Sequence, residues 1–186
     1  MLSEKDRNFL LKIARQTIEC FIEDKELEFD DKKLSEELKK NTAVFVTLTI
    51  DGLLRGCMGE LAPIKPLIDS VIGNALNAAF HDPRFHEVEK NELKSIKIEI
   101  SVLSKPQELK FRNSNDLLEK INQEMGLILE VDGRQATFLP QVWEALPDKV
   151  QFLDQLSLKA GLKASAWREK KAKIKFYNVE KFEEQH

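Results

Sequence analysis

Two Asp-Gly dipeptides, Asp51-Gly52 and Asp132-Gly133, each lie between two β-prone runs, and no other feature of this 186-residue chain restricts its fold as tightly. A two-residue hairpin loop in a type I′ turn needs positive φ at both central positions, which Asp-Gly tolerates well. The first dipeptide joins Ala43–Ile50 to Leu53–Cys57, and the second joins Leu127–Val131 to Arg134–Leu139. Ile96–Leu103 alternates strictly, with Ile96, Ile98, Ile100 and Val102 on one face and Lys97, Glu99 and Ser101 on the other. Lys173–Tyr177 reads as a last strand.

Helical patterns fill the intervals. Ser3–Phe21 carries Phe9, Leu10, Ile13, Ala14, Thr17, Cys20 and Phe21 at three- and four-residue steps, with Ser3 as N-cap. Asp31–Lys40 is a shorter helical candidate around Leu34 and Leu38. Pro66–Phe80 has a broad apolar stripe and a proline suited to a first turn. Pro83 turns His81–Phe85 into a loop. Asn113 or Ser114 opens a helix reaching about Gln123. Asp148–Ala160 is a helix with Gly161 at its C′ position. Hairpins with helices between them predict an α+β fold, a largely antiparallel sheet with helices packed on it.

Apolar residues make up 42% and charged residues 33%, a globular composition for one domain or one domain with an appendage. The net charge of −3 gives no electrostatic footprint for phosphate binding, so nucleic acid is an unlikely partner. Two cysteines, Cys20 and Cys57, make no disulfide framework and suit a reducing compartment. No apolar run approaches a membrane span or a signal peptide, so the cytoplasm is the expected location, with no membrane partner.

The chemistry concentrates in Leu54-Arg55-Gly56-Cys57-Met58-Gly59. A regular hairpin pairs Ile50 with Leu53, Leu48 with Arg55, Thr47 with Gly56 and Val46 with Cys57. Arg55 and Cys57 then share a face, their Cβ atoms about 6–7 Å apart. A guanidinium beside a thiol favours the thiolate, so Cys57 is a candidate nucleophile and Arg55 its stabiliser. Gly56 leaves backbone open to a ligand or another chain. The same register sets Arg55 among Val46, Leu48 and Ile50, where an arginine needs a carboxylate or an exit to water. Asp82, Glu60 and Glu99 are the candidate partners, and a bulge near Gly56 is the other solution. The plain reading is that Cys57 is a small buried hydrophobe.

Asp82 and Arg84 flank Pro83 and read either as a local ion pair closing their loop or as part of a polar cluster with Arg55 and Cys57. Such a cluster suits an anionic small molecule. Glu99 joins it or faces water. Metal binding by Cys57, His81, Asp82 and His86 has no support in spacing, and the chain has no C-x-x-C, G-x-S-x-G, P-loop or G-x-G-x-x-G motif, so no cofactor is named. The basic run Arg168, Lys170, Lys171, Lys173 and Lys175 alternates with Ile174 and Phe176, as an edge strand with outward lysines would. Trp143 and Trp167 read as packing residues, and Cys20 as buried and inert.

The hexamer resembles the signature of the AMMECR domain family, known in microbes as AmmeMemoRadiSam system protein A. Further blocks extend the resemblance along nearly the whole chain: Val44–Leu48, Asp82-Pro83-Arg84-Phe85, Ile98–Ser104, Gly133–Trp143 and Lys159-Ala160-Gly161-Leu162. Met58 replaces the usual isoleucine, Glu60 a small hydroxyl residue, and His86-Glu87 a frequent Pro-Pro. The resemblance implies one AMMECR-like domain over residues 1–186, with a larger sheet-containing part and a smaller α/β part. It implies a site drawn from Arg55, Gly56, Cys57, Gly59, Asp82, Arg84, Glu99 and Arg134. The expected function is binding of a small anionic ligand at the Arg-Gly-Cys cleft, with thiol chemistry at Cys57 and Arg55 if the protein is an enzyme. The alternatives are an interaction module whose Gly56–Gly59 edge docks a Memo-like or radical-SAM partner, and a nucleic-acid-associated regulator.

Overall fold

The computed structural model describes residues 2–185. In chain order its helices and strands are α1 (Glu4–Ile22), β1 (Val44–Ile50), β2 (Leu53–Gly59), α2 (Leu67–Phe80), β3 (Ile96–Leu103), β4 (Gln107–Glu108), α3 (Ser114–Lys120), β5 (Gly126–Val131), β6 (Arg134–Phe138), α4 (Val142–Ala145), α5 (Lys149–Lys159), β7 (Lys173–Tyr177) and β8 (Val179–Glu183), with short 3₁₀ turns between some of them. They form two compact units of unequal size. One runs to Leu103 and takes back the chain from Glu180, and the other is Ser104–Val179.

The larger unit is a four-stranded sheet in the order β2-β1-β3-β8 with α1 and α2 packed on it. Its core joins Val44, Val46, Leu48, Ile98 and Ile100 of the strands to Leu10, Ile13 and Ala14 of α1 and to Leu67, Val71, Ala75 and Ala78 of α2. The opposite strand positions carry Thr47, Thr49, Lys97 and Glu99, all half-buried, so one sheet face is apolar and covered and the other polar. Asp51 and Gly52 adopt φ of 51° and 78°, and Asp132 and Gly133 φ of 51° and 77°, the positive pairs that both turns demand. The Ser3 hydroxyl accepts the Asp6 N–H at 3.1 Å and opens α1 as its sequence indicates.

The Asp31–Lys40 helix shrinks to a single 3₁₀ turn, Asp31–Lys33. Further along the segment, the Leu38 and Lys40 carbonyls accept the first N–H groups of α2, from Ile68 at 3.1 Å and Leu67 at 2.9 Å. Two of α2's orphan donors are thereby satisfied, and carbonyls so used cannot also serve a local helix.

The smaller unit has its own four-stranded sheet, β4-β7-β5-β6. Trp143 stacks on Phe152 with ring centroids 3.6 Å apart, and both sit with Leu127, Leu129, Leu153, Leu156 and Trp167 in a second core. Asp148 caps α5 by accepting the Gln151 N–H at 2.8 Å, and Gly161 ends the helix at φ 71°. β7 lies between β5 and the two-residue β4, and is not an edge strand. Lys173 and Lys175 face Glu130 of β5, while Lys171 faces Asp132 and Glu169, and Arg168 faces Asp154. Those pairings balance most of the basic run. No helix among the described residues is long and apolar enough to cross a membrane.

Candidate functional site

The regular hairpin register fails after two pairs. Ile50 faces Leu53 and Thr49 faces Leu54, but Leu48 then faces Gly56, Thr47 faces Cys57 and Val46 faces Met58. Arg55 is therefore the extra residue of a β-bulge, and the expected pairs Leu48–Arg55, Thr47–Gly56 and Val46–Cys57 do not form. One inserted residue sends every later side chain of β2 to the other face. Gly56 and Met58 turn to the core, whereas Cys57 and Gly59 turn to the polar face. The bulge thereby removes the arginine from the apolar layer.

Arg55 finds a carboxylate, though none of the three expected. Its Nε donates to Glu92 Oε1 at 2.7 Å and its Nη2 to Glu92 Oε2 at 3.0 Å, in the fork geometry that suits guanidinium to carboxylate. Nη1 and Nη2 also donate to the His86 and Glu87 carbonyls at 2.9 and 3.2 Å. Glu92 in turn accepts the Glu89 N–H at 2.8 Å, and the Arg55 guanidinium above all holds its carboxyl below the usual range. Arg55 is thus the post on which residues 86–92 are wound. Arg55→Ala is expected to lower the stability of the larger unit by about 1–3 kcal/mol and to speed amide exchange in residues 86–92, measured by hydrogen–deuterium exchange mass spectrometry.

The loop at Asp82 works differently. β2 lies at the sheet edge, with outward N–H and C=O groups that invite a further strand. Asp82, only 4% exposed, accepts the Cys57 N–H at 2.9 Å, while Arg84 Nη2 donates to the Cys57 carbonyl at 3.3 Å. Arg84 Nε and Nη2 bind the two Asp82 oxygens at 2.9 and 2.7 Å. The Asp82–Arg84 pair therefore occupies the place of a neighbouring strand at one residue, Cys57. The Arg84 guanidinium first, then the Cys57 and Arg84 N–H groups, hold the Asp82 carboxyl far below the ordinary carboxylate range despite its burial. β6 is closed in a related way, its Thr137 carbonyl accepting from Lys159 Nζ at 3.0 Å.

Cys57 itself is half-buried, and the Thr47 hydroxyl lies 3.3 Å from its sulfur as a donor. The hydrogen bonds to Asp82 hold Arg84 firmly protonated. Arg84 Nη1 has no partner among the described residues, and the side chain is 55% exposed. Beside the thiol there is thus one cation fixed in place with two N–H donors free.

Both candidate glycines are explained by packing. A Cβ on Gly56 would lie 2.1 Å from the Ala78 carbonyl oxygen of α2. The close approach foreseen for Gly56 is made by the chain's own helix. A Cβ on Gly59 would meet the Phe45 ring at 2.3 Å and the Val44 carbonyl at 2.6 Å. Glu60 accepts from the Ser70 hydroxyl at the start of α2. Glu99 points away from the apolar layer, as its alternation indicates, and pairs with Lys181 of β8 at 2.6 Å. Arg134 belongs to the other unit, where its Nη1 donates to the Gly161 carbonyl at 2.7 Å. Cys20 is half-buried rather than enclosed. Among the described residues no group of three His, Cys, Asp or Glu side chains is placed to hold a metal.

The site therefore gathers Cys57, Asp82 and Arg84, with Thr47 beside them. Thr47 gave no sign in the sequence, because only the shifted register sets it opposite Cys57. Glu92 and Lys181 were equally silent, each partner lying far along the chain.

The AMMECR1 family profile matches residues 11–182. Protein NEQ441 of Nanoarchaeum equitans is 38% identical over 182 residues, covering 94% of this chain and 98% of that protein. Protein MK0488 of Methanopyrus kandleri is 35% identical over 189 residues, covering 99% and 91%. The crystal structure of uncharacterized protein PH0010 from Pyrococcus horikoshii is similar at a TM-score of 0.84 with 32% identity, covering 100% of this chain and 94% of that one.

Proposed function

Because this chain belongs to the AMMECR1 family, we propose that its signature strand serves a binding site for a small anionic ligand, anchored by Arg84 and in contact with the Cys57 thiol. The observation that carries this reading is the unengaged Nη1 of an arginine already fixed by Asp82 at the backbone of a half-buried cysteine. A guanidinium with one nitrogen free recognises a carboxylate or phosphate without first giving up a partner. Arg55, by contrast, has every nitrogen engaged and supports the loop. If the thiol reacts, it does so as a thiolate, with the Thr47 hydroxyl as hydrogen-bond donor to its charge. The edge-docking alternative has less room at Cys57, where Asp82 and Arg84 already take both backbone groups.

The test compares alkylation of Cys57 by anionic iodoacetate and neutral iodoacetamide, each rate divided by that of a free thiol and read by peptide mass spectrometry. Wild type is expected to favour iodoacetate about fivefold over Arg84→Gln, with the preference shrinking as salt is raised. Arg84→Lys, which keeps the charge, retains most of it. Equal ratios in wild type and Arg84→Gln would remove Arg84 from the site.

A further inference from the structure

Beyond Cys57 and Arg84, the polar face of the larger unit's sheet carries side chains that the reading above leaves unused. Cys57 of β2 faces Thr47 of β1, and Thr47 faces Glu99 of β3. Lys181 of β8 reaches Glu99 at 2.6 Å. One row thus takes a thiol, a hydroxyl, a carboxylate and an ammonium from the four strands in their spatial order. Ser101, two residues along β3 from Glu99 and so on the same face, is only 6% exposed, yet its hydroxyl makes no hydrogen bond among the described residues. That hydroxyl is not closed off from solvent and so stays open to a bonding partner from outside. The Lys181 ammonium has three N–H donors, of which Glu99 takes one, and its side chain is 60% exposed. The other charges on this face, Lys97 and Glu183, satisfy each other at 2.8 Å.

Two inter-strand spacings of about 4.8 Å separate β2 from β3, which places the Lys181 ammonium on the order of 10 Å from the thiol. We propose that this row is a second anion subsite of the Cys57 site, and that the ligand is an elongated acid lying across the strands. One end meets Cys57 and Arg84. A carboxylate or phosphate further along meets Lys181, and a polar group between them meets the Ser101 hydroxyl. Glu99 fixes the ammonium and limits its net charge, so the subsite selects for an acid with hydrogen-bonding groups. This proposal rests on the reading of Cys57 and Arg84 as a ligand site.

The probe is 5,5′-dithiobis(2-nitrobenzoate), whose carboxylate trails the attacked sulfur by one aromatic ring, set against the neutral disulfide 4,4′-dithiodipyridine. In each case the Cys57 thiolate attacks one sulfur, a protein–aryl disulfide forms, and the other aryl thiolate leaves with the bonding pair. In a Cys20→Ser background, Lys181→Gln is expected to lower the ratio of the two rates about fivefold, and Glu99→Gln to raise it. Both variants are expected to leave the iodoacetate preference, which reads Arg84, within about twofold of its starting value. A disulfide ratio unchanged in both variants, with the iodoacetate preference intact, overturns the second subsite alone. A Cys57 that reacts with neither disulfide in the folded protein overturns the underlying reading and the subsite with it.

Discussion

Gly56→Ala is expected to destabilise the larger unit by about 3 kcal/mol or more, with a fall in its melting temperature of about 10–20 °C. The added methyl carbon would stand 2.1 Å from the Ala78 carbonyl oxygen and 3.1 Å from the carbonyl carbon. The obstacle is helix backbone, so no side-chain rotation relieves it. Either α2 lifts from β2, opening the layer that holds Val71, Ala75 and Ala78, or the strand bends away from β1. Gly59→Ala meets the Phe45 ring and the Val44 carbonyl, and the ring at least can turn aside. The expected order of loss is therefore Gly56→Ala above Gly59→Ala, measured by calorimetry on the full chain. Because there are two compact units, the smaller unit is expected to keep its own transition.

Asp82→Ala is the second large effect, at about 3 kcal/mol. The change leaves the Cys57 N–H without its acceptor, frees Arg84 from both carboxylate oxygens, and reopens the edge of β2. Exposed edges pair with other chains, so the variant is also expected to associate at concentrations where wild type does not, as sedimentation velocity would register. The pH dependence has a definite sign. The folded carboxyl is held far below its unfolded value of about 3.9, so the folded state releases this proton more readily. Its contribution is fully present above about pH 4 and is lost as the pH falls through the folded value. Wild type should lose stability more steeply below about pH 4 than Asp82→Asn, which has no charge there to lose. Parallel acid limbs in urea titrations would contradict that assignment.

The sequence made the hairpins plain because their turns depend on local chemistry: Asp51-Gly52 and Asp132-Gly133 need no tertiary help to favour positive φ. The same holds for Ser3 and Asp148, caps whose partners lie three residues away. The α+β class followed from these. The bulge near Gly56 stood as one of two solutions for Arg55, and nothing local chose it, since Arg-Gly-Cys has no apolar alternation to pin the register beyond Thr49–Leu54. A turn fixes only the nearest pairs, and packing of Gly56 under α2 fixes the rest. β8 was missed because Val179–Glu183 alternates weakly and gains its strand character from β3.

The candidate site shows the same division. Asp82 and Arg84 were visible through Pro83, which prevents a helix and holds the two side chains close together. The local ion pair that one reading described forms, and it also reaches Cys57, through the backbone and without Arg55. Arg55 was expected to act on the thiol, and its guanidinium instead anchors residues 86–92 through Glu92. That partner lies 37 residues away in a 3₁₀ turn, at a distance where spacing carries no information.

The central claim is that Cys57 offers its thiol from the folded protein, beside a fixed cation. The most direct measurement is the rate of Cys57 alkylation by iodoacetamide as a function of urea below the unfolding transition, resolved from Cys20 by peptide mass spectrometry. Reaction from the folded state predicts a rate that stays flat until the transition begins. A rate that climbs exponentially from zero urea, with the slope of global unfolding, would show that Cys57 reacts only once the sheet opens and would contradict the account.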